Sequence, residues 1–147
     1  MKTFYAVFDT NVLVSSLLSK RDDSAAVLLL DYVLDGQIVL LYNDDIMTEY
    51  DDVLHREKFD FSDERIDAVL EMVKTGLRLD PTPSGEYFPD TDDAVFYEVA
   101  LSKEDGYVVT GNQRHFPKTP IVVTPGEMLQ IVQNENDKRM SKEKQNK

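Results

Sequence analysis

Short apolar runs that alternate with helical patterns constrain the fold of this chain more than any other feature of its sequence. The runs are rich in aromatic and β-branched residues, as buried strands are, and they cover 5–8, 38–42, 107–109 and 121–123. Strands that are apolar throughout are typical of parallel sheets, in which helices cover both faces. The pattern therefore predicts a three-layer α/β/α fold with a parallel central sheet and Rossmann-like topology.

Local signals set the expected ends of the helices. Asp35-Gly36 stops one helix, and Thr124-Pro125-Gly126-Glu127 has the form of a capping box that starts another. The predicted helices cover about 12–18, 24–34, 44–57 and 125–133, two more begin near 62 and near 90–93, and 77–79 is predicted as a short edge strand.

The length and the end of the chain suggest one domain followed by a tail. The 147 residues are enough for one domain with its own core. After Gln133 the sole apolar residue is Met140, and most of the other side chains are charged or amide. We therefore predict a domain over 1–133 and a charged, disordered tail over 134–147.

The charge of the chain is strongly acidic, with 28 Asp and Glu against 16 Lys and Arg and a net charge of −12. Such a protein repels polyanions at long range, which argues against nucleic-acid binding through a broad basic face. The acidic side chains form either an ordinary solubilising surface or, in part, a site for a cation.

Two absences narrow the class of protein further. Without cysteine, the chain has no disulfide framework, no thiolate zinc site, no iron–sulfur cluster and no cysteine nucleophile. No apolar run has the length of a membrane span, and Asp9 and Asn11 interrupt the apolar start of the chain. We therefore expect a cytoplasmic protein that does not contact membranes.

Four polar clusters fall where ligands bind in open parallel sheets, outside the carboxyl ends of the strands. Asp9 directly follows the first predicted strand, and Asn112 follows the strand 107–109. The cluster 90–93 begins a helix, and Glu49 lies two turns into the helix after the second strand. The topology predicts that these side chains meet at one edge of the sheet.

Gathering several carboxylates is unfavourable, because each negative charge raises the pKa of its neighbours. A divalent cation removes that cost, and a set of oxygen donors favours Mg²⁺ or Mn²⁺. A metal held in this way can activate water for attack on a phosphodiester, which is the chemistry of metal-assisted nucleases.

Each cluster taken alone also has a purely structural interpretation. Asp9 is a candidate helix N-cap, and Asp90 with Asp93 has the spacing of a capping box. Glu49 has acidic neighbours and fits a solvated helix face, and Asn112 fits a turn. The functional interpretation therefore depends on all four clusters occurring together and in order.

In that order the residues resemble the PIN domain family. The matching features are Asp9-Thr10-Asn11 after a short strand, Glu49 in the third helix, Asp90-Thr91-Asp92-Asp93 before Phe96, and Thr110-Gly111-Asn112 after a strand. The segments 110–117 and 124–129 resemble one bacterial branch of the family in particular, the toxin components of toxin–antitoxin systems. The resemblance covers about 3–132.

The resemblance implies an endoribonuclease that depends on Mg²⁺ or Mn²⁺. Asp9 and Asp93 would be the principal metal-binding carboxylates, and Glu49 would complete the metal pocket or orient the water. Asn112 would be a further catalytic residue at a position where many relatives have a fourth Asp, and its neutral amide weakens the case for a second metal.

The resemblance also implies supporting residues and partners. Thr10, Asn11 and Thr110 would orient the carboxylates by hydrogen bonds, and Asp90 or Asp92 would share the role of Asp93. The implied partners are an RNA substrate, a small antitoxin protein and a second copy of the chain.

Two other functions compete with the ribonuclease. A phosphatase with Asp9 as nucleophile would need an acid two residues later, where this chain has Asn11. A PIN-fold module that binds a protein without catalysis is favoured by Asn112 and the acidic body, whereas the presence of Asp9, Glu49 and Asp93 argues against it.

Overall fold

The computed structural model describes residues 2–145, and a parallel sheet forms the centre of the fold. Within these residues the sheet has five strands in the order β3-β2-β1-β4-β5, and every neighbouring pair is parallel. The strands are β1 (Phe4–Phe8), β2 (Ile38–Tyr42), β3 (Leu77–Arg78), β4 (Gly106–Val109) and β5 (Val122–Val123). The predicted parallel sheet is confirmed, and 77–79 contributes an edge strand as expected.

Helices connect the strands and start at the polar residues that the sequence indicates. They are α1 (Thr10–Leu18), α2 (Ala25–Leu34), α3 (Asp44–Leu54), α4 (Asp63–Lys74), α5 (Ala94–Leu101) and α6 (Pro125–Gln145). The side chains of Ser24, Asn43 and Ser62 accept hydrogen bonds from backbone N–H groups in the first turns of α2, α3 and α4. These caps satisfy N–H groups that a helix leaves without partners.

The layers follow from what each helix covers. α5 packs across β1, β2 and β4, and α2 packs against β2 and α6. Ala6, Val7 and Phe8 of β1 and Val108 of β4 are completely buried, as expected for central strands covered on both faces. The architecture is the predicted three-layer α/β/α fold.

The last helix is longer than the sequence pattern predicts. The expected end near 133 and the expected disorder of 134–147 are wrong for 134–145, because α6 continues to Gln145; residues 146 and 147 lie outside the described part. The segment has no Gly or Pro, and half of its residues are Lys, Glu or Arg, which favour helix. Asn136 also anchors it, by hydrogen bonds with the Gln37 side chain at 2.6 and 3.2 Å. The division into a domain and a tail at 133 stays a prediction.

Between residues 2 and 145, no helix combines the length and the apolar character that crossing a membrane requires.

Candidate functional site

The site is built where the central strands β1 and β4 end side by side. Phe8 and Val109 are paired in the sheet, and the backbone N–H of Asp9 donates to the carbonyl of Val109 at 2.9 Å. Asp9 and Thr110 therefore lie side by side, each directly after the last residue of its strand. The Thr110 hydroxyl donates to Asp9 Oδ2 at 2.7 Å, and both residues are buried.

The buried position of Asp9 is not explained by helix capping. Its side chain makes no capping hydrogen bond to α1, although it directly precedes that helix. Burial raises the pKa of the Asp9 carboxyl. The rise is opposed by hydrogen bonds from the Thr110 hydroxyl and the Thr10 backbone N–H and by the charge of His115. The structural interpretation of Asp9 as an N-cap is therefore not supported.

Glu49 reaches the same place from α3. Thr10 Oγ1, in the first turn of α1, donates to Glu49 Oε2 at 2.5 Å. The buried face of α3 includes Tyr50, whose hydroxyl donates to the carbonyl of Phe8 at the end of β1. This bond fixes α3 against the end of β1, directly before Asp9, so Tyr50 positions its neighbour Glu49.

Asp93 comes from the 3₁₀ turn Thr91–Asp93 that precedes α5. Its side chain is 17% exposed and makes no capping hydrogen bond. His115 Nδ1 lies 3.7 Å from Asp93 Oδ2. Asp90, in contrast, accepts a hydrogen bond from the backbone N–H of Asp92 at 3.0 Å and so caps the turn. Of the acidic residues in this cluster, Asp90 is the one with a structural role.

The charges of these carboxyl groups also affect one another's pKa values. Burial, followed by the charges of Asp9 and Asp90, raises the pKa of Asp93 to about 6, although nearby His115 opposes the rise. Burial also raises the pKa of Glu49. The hydrogen bond from the Thr10 hydroxyl lowers this pKa, and the charges of Asp9 and Asp92 raise it further. The structure thus brings Asp9, Glu49 and Asp93 to one edge of the sheet.

The other residues predicted for the site make fewer contacts with the carboxylates. Asn112 is exposed, and its backbone N–H, rather than its side chain, binds the Thr110 hydroxyl at 3.0 Å. Asn11 is half-buried, with its amide oxygen near Gly111. Asp92 is exposed and lines a cleft beside Glu49. Thr10 and Thr110 are therefore the supporting residues with direct contacts to the carboxylates.

A cleft of about 560 Å³ opens between α3 and the turn before α5. We call it the acidic cleft, because four of its lining residues carry carboxylates and one carries a positive charge: Asp45, Glu49, Asp52 and Asp92, with Arg56. Its position next to Glu49 leaves the candidate site open to solvent on this side.

The donor set fits a hard divalent cation. The groups that converge are oxygen donors, and within residues 2–145 no Lys or Arg forms an ion pair with Asp9, Glu49 or Asp93. The described residues contain no group of three or more His, Cys, Asp or Glu side chains that could hold a metal ion as they stand. Mg²⁺ takes one or two carboxylates directly and keeps several waters, so it does not require such a group.

Sequence reasoning missed two residues of this site. Tyr50 fits the apolar face of α3 by its spacing, but a buried tyrosine needs a partner for its hydroxyl, and this need could have indicated the contact. No local pattern connects His115 to Asp93, which lies 22 positions earlier.

A family model with the description PIN domain matches residues 5–114. The match begins in β1 and ends in the turn after β4, so it includes every residue of the site except His115. Proteins with this domain are generally nucleases, and they usually use divalent metals. No curated protein and no solved structure gives a significant match to the chain.

Proposed function

The chain belongs to the PIN domain family, and on that premise we propose that it is an endoribonuclease dependent on Mg²⁺ or Mn²⁺. The observation that carries the proposal is the convergence of Asp9, Glu49 and Asp93 at the carboxyl edge of the sheet without a Lys or Arg partner within residues 2–145. A surface that only needed solubility would not hold a carboxylate as buried as that of Asp9.

Asp9 and Asp93 would hold the cation, which when bound activates water and stabilises the leaving oxygen. The Thr110 hydroxyl donates a hydrogen bond to Asp9 Oδ2 and so holds this carboxylate in one orientation. The Thr10 hydroxyl binds Glu49 Oε2 in the same way. Glu49 Oε1 is then available to accept a hydrogen bond from a water molecule and to orient it toward the phosphodiester.

Cleavage of single-stranded RNA by the purified protein tests the proposal. We expect cleavage with added Mn²⁺ or Mg²⁺ and none in excess chelator. Mutation of a residue that only hydrogen-bonds to a metal ligand already lowers metal affinity or activity by about 10–100-fold. Asp9→Asn, which changes a ligand itself, should therefore lower kcat/KM by at least about 100-fold. Asp31→Asn, an exposed change of the same type on α2, is the matched control and should keep full activity.

Full activity of Asp9→Asn, or of the wild type in chelator, would contradict the proposal. Co-purification of a small basic protein with the chain, without metal-dependent cleavage of RNA, would instead favour the catalytically inactive module that binds a protein, the alternative that Asn112 supports.

We also propose that the protein is the toxin of a toxin–antitoxin pair and forms a homodimer. The resemblance of the segments 110–117 and 124–129 to that branch of the family supports this assignment. Expression of the wild type should arrest growth, and expression of Asp9→Asn at the same level should not. Equal growth of the two strains would contradict the toxin role. A monomer mass in sedimentation at micromolar concentration would contradict the dimer.

A further inference from the structure

We propose that a second cleft, beside the 3₁₀ turn Gln113–His115, binds the segment of single-stranded RNA that adjoins the cleaved bond. This cleft has a volume of about 550 Å³, and we call it the basic cleft. The residues that define it are Arg114, Pro117, Lys118, Thr119, Pro120 and Val122. The inference rests on the proposed function, because it assigns the cleft to the substrate of that reaction.

The charge of the basic cleft is opposite to that of the rest of the protein. Arg114 and Lys118 line it, and no carboxylate does. Both side chains are exposed, and neither forms an ion pair within residues 2–145. The acidic cleft has four carboxylates and one arginine. On a protein of net charge −12, the basic cleft is therefore the better of the two for a phosphate backbone.

The turn Gln113–His115 connects the basic cleft to the candidate metal site. His115 extends from the turn toward Asp93, at 3.7 Å. Gln113 is fixed on the other side, since its Nε2 donates to the Val122 carbonyl at 3.2 Å and to Glu127 Oε1 at 3.0 Å. Arg114 lies between these two anchored residues. A nucleotide in the basic cleft would thus be a close neighbour of a phosphate at the metal site.

The other lining groups suit a nucleotide as well. Pro117 and Pro120 offer apolar surface against which a base or a ribose can pack. Thr119 lines the cleft beside them.

Binding of a labelled, unstructured RNA to the full chain tests the inference, with Ca²⁺ in place of Mn²⁺ and fluorescence anisotropy as readout. The variant Arg114→Gln with Lys118→Gln removes both charges of the basic cleft. We expect at least about tenfold weaker binding at low salt. The slope of log K against log salt should fall by about 1.4, because each phosphate contact of a single strand contributes about 0.7.

The matched control is Lys2→Gln with Lys74→Gln, which removes the same charge at the amino ends of β1 and β3, the opposite edge of the sheet. Its affinity should stay within about twofold of the wild type. Equal RNA affinity and equal salt dependence in the two double variants would overturn the inference. A wild type that binds no RNA would overturn it too.

The experiment separates this inference from the proposed function. A wild type that cleaves RNA with Mn²⁺, while the basic-cleft variant keeps its affinity and KM, overturns the inference and leaves the ribonuclease proposal standing. A wild type that binds RNA through the basic cleft but never cleaves it overturns the ribonuclease proposal alone.

Discussion

Two threonine hydroxyls determine how the carboxylates of the candidate site are presented. Thr110 occupies Oδ2 of Asp9, and Thr10 occupies Oε2 of Glu49. Each bond leaves the second oxygen of its carboxylate without this constraint. Hydrogen bonds of this kind fix the orientation of metal ligands, and their loss typically weakens metal binding by about 10–100-fold.

Thr110→Val should therefore weaken Mn²⁺ binding by about 10–100-fold in a calorimetric titration. The pKa of Asp9 should also rise, because the hydroxyl is the largest influence that opposes the effect of burial. Thr75→Val, which removes an exposed hydroxyl bonded to the Met72 carbonyl, is the control and should bind Mn²⁺ as the wild type does. Unchanged affinity in Thr110→Val would show that its hydroxyl does not orient a ligand.

Asp93→Asn should change how the stability of the metal-free protein depends on pH. The pKa of Asp93 is about 6 in the folded protein and near 3.8 when unperturbed, so folding favours the protonated form. The stability linked to this group is present below pH 3.8 and is lost as pH rises through 6. The full shift corresponds to about 3 kcal/mol, which partial exposure reduces to about 1–2 kcal/mol.

Melting curves in chelator from about pH 4 to 8 measure this effect. Asp93→Asn should be more stable than the wild type at the upper end of the range and should show a weaker fall with pH, with Asp9 and Glu49 accounting for the remainder. Parallel curves for the two proteins would contradict the assignment of the raised pKa to Asp93.

Single residues could be predicted from sequence where their neighbours along the chain define them. Asp9 directly follows a strand and Asp93 directly precedes a helix, so topology alone puts both at the carboxyl edge of the sheet. The contacts of Tyr50 with Phe8 and of His115 with Asp93 join segments 42 and 22 positions apart. Such contacts depend on the packing of whole elements, which no local pattern encodes.

At the scale of elements, close contacts between backbones constrain the sheet. Gly76 connects α4 to β3, and a Cβ atom at this position would lie 1.9 Å from the Leu40 carbonyl oxygen of β2. That atom belongs to the backbone of a central strand and cannot give way without moving the strand. The edge strand β3 therefore requires glycine before it.

Gly76→Ala should lower the free energy of unfolding by about 3 kcal/mol, because either β3 or β2 must move. Urea unfolding followed by circular dichroism measures the change. Gly126→Ala is the control: its Cβ would meet nothing nearer than 3.9 Å, so stability should be unchanged or slightly higher. Equal stability of the two variants would contradict the close contact at Gly76.

Elements with strong local signals were predictable, and the one without them was not. Apolar runs indicate the strands, and the predicted helix starts near 24, 44 and 62 lie at residues whose side chains cap those helices, Ser24, Asn43 and Ser62. The outer half of α6 has no apolar periodicity to indicate a helix. Its bonds between Asn136 and Gln37 link positions 99 residues apart, which a reading along the chain cannot find.

For the whole molecule, the uneven distribution of charge decides where cations and RNA can bind, and the total charge does not. The net charge of −12 attracts cations and repels RNA at long range. The carboxyl edge of the sheet has groups suited to a cation and groups suited to RNA. It carries the converging carboxylates and, beside them, the basic cleft with Arg114 and Lys118. Sequence gives the total charge, but the separation into an acidic and a basic cleft arises only when distant segments meet.

If Asp9 and Asp93 hold a divalent cation beside Glu49, a calorimetric titration of the metal-free protein with Mn²⁺ should detect that cation directly. We expect saturable binding to the wild type and to Asp31→Asn with equal affinity, and at least about 100-fold weaker binding to Asp9→Asn. No binding to the wild type at millimolar Mn²⁺, or equal binding to Asp9→Asn and the wild type, would contradict this expectation.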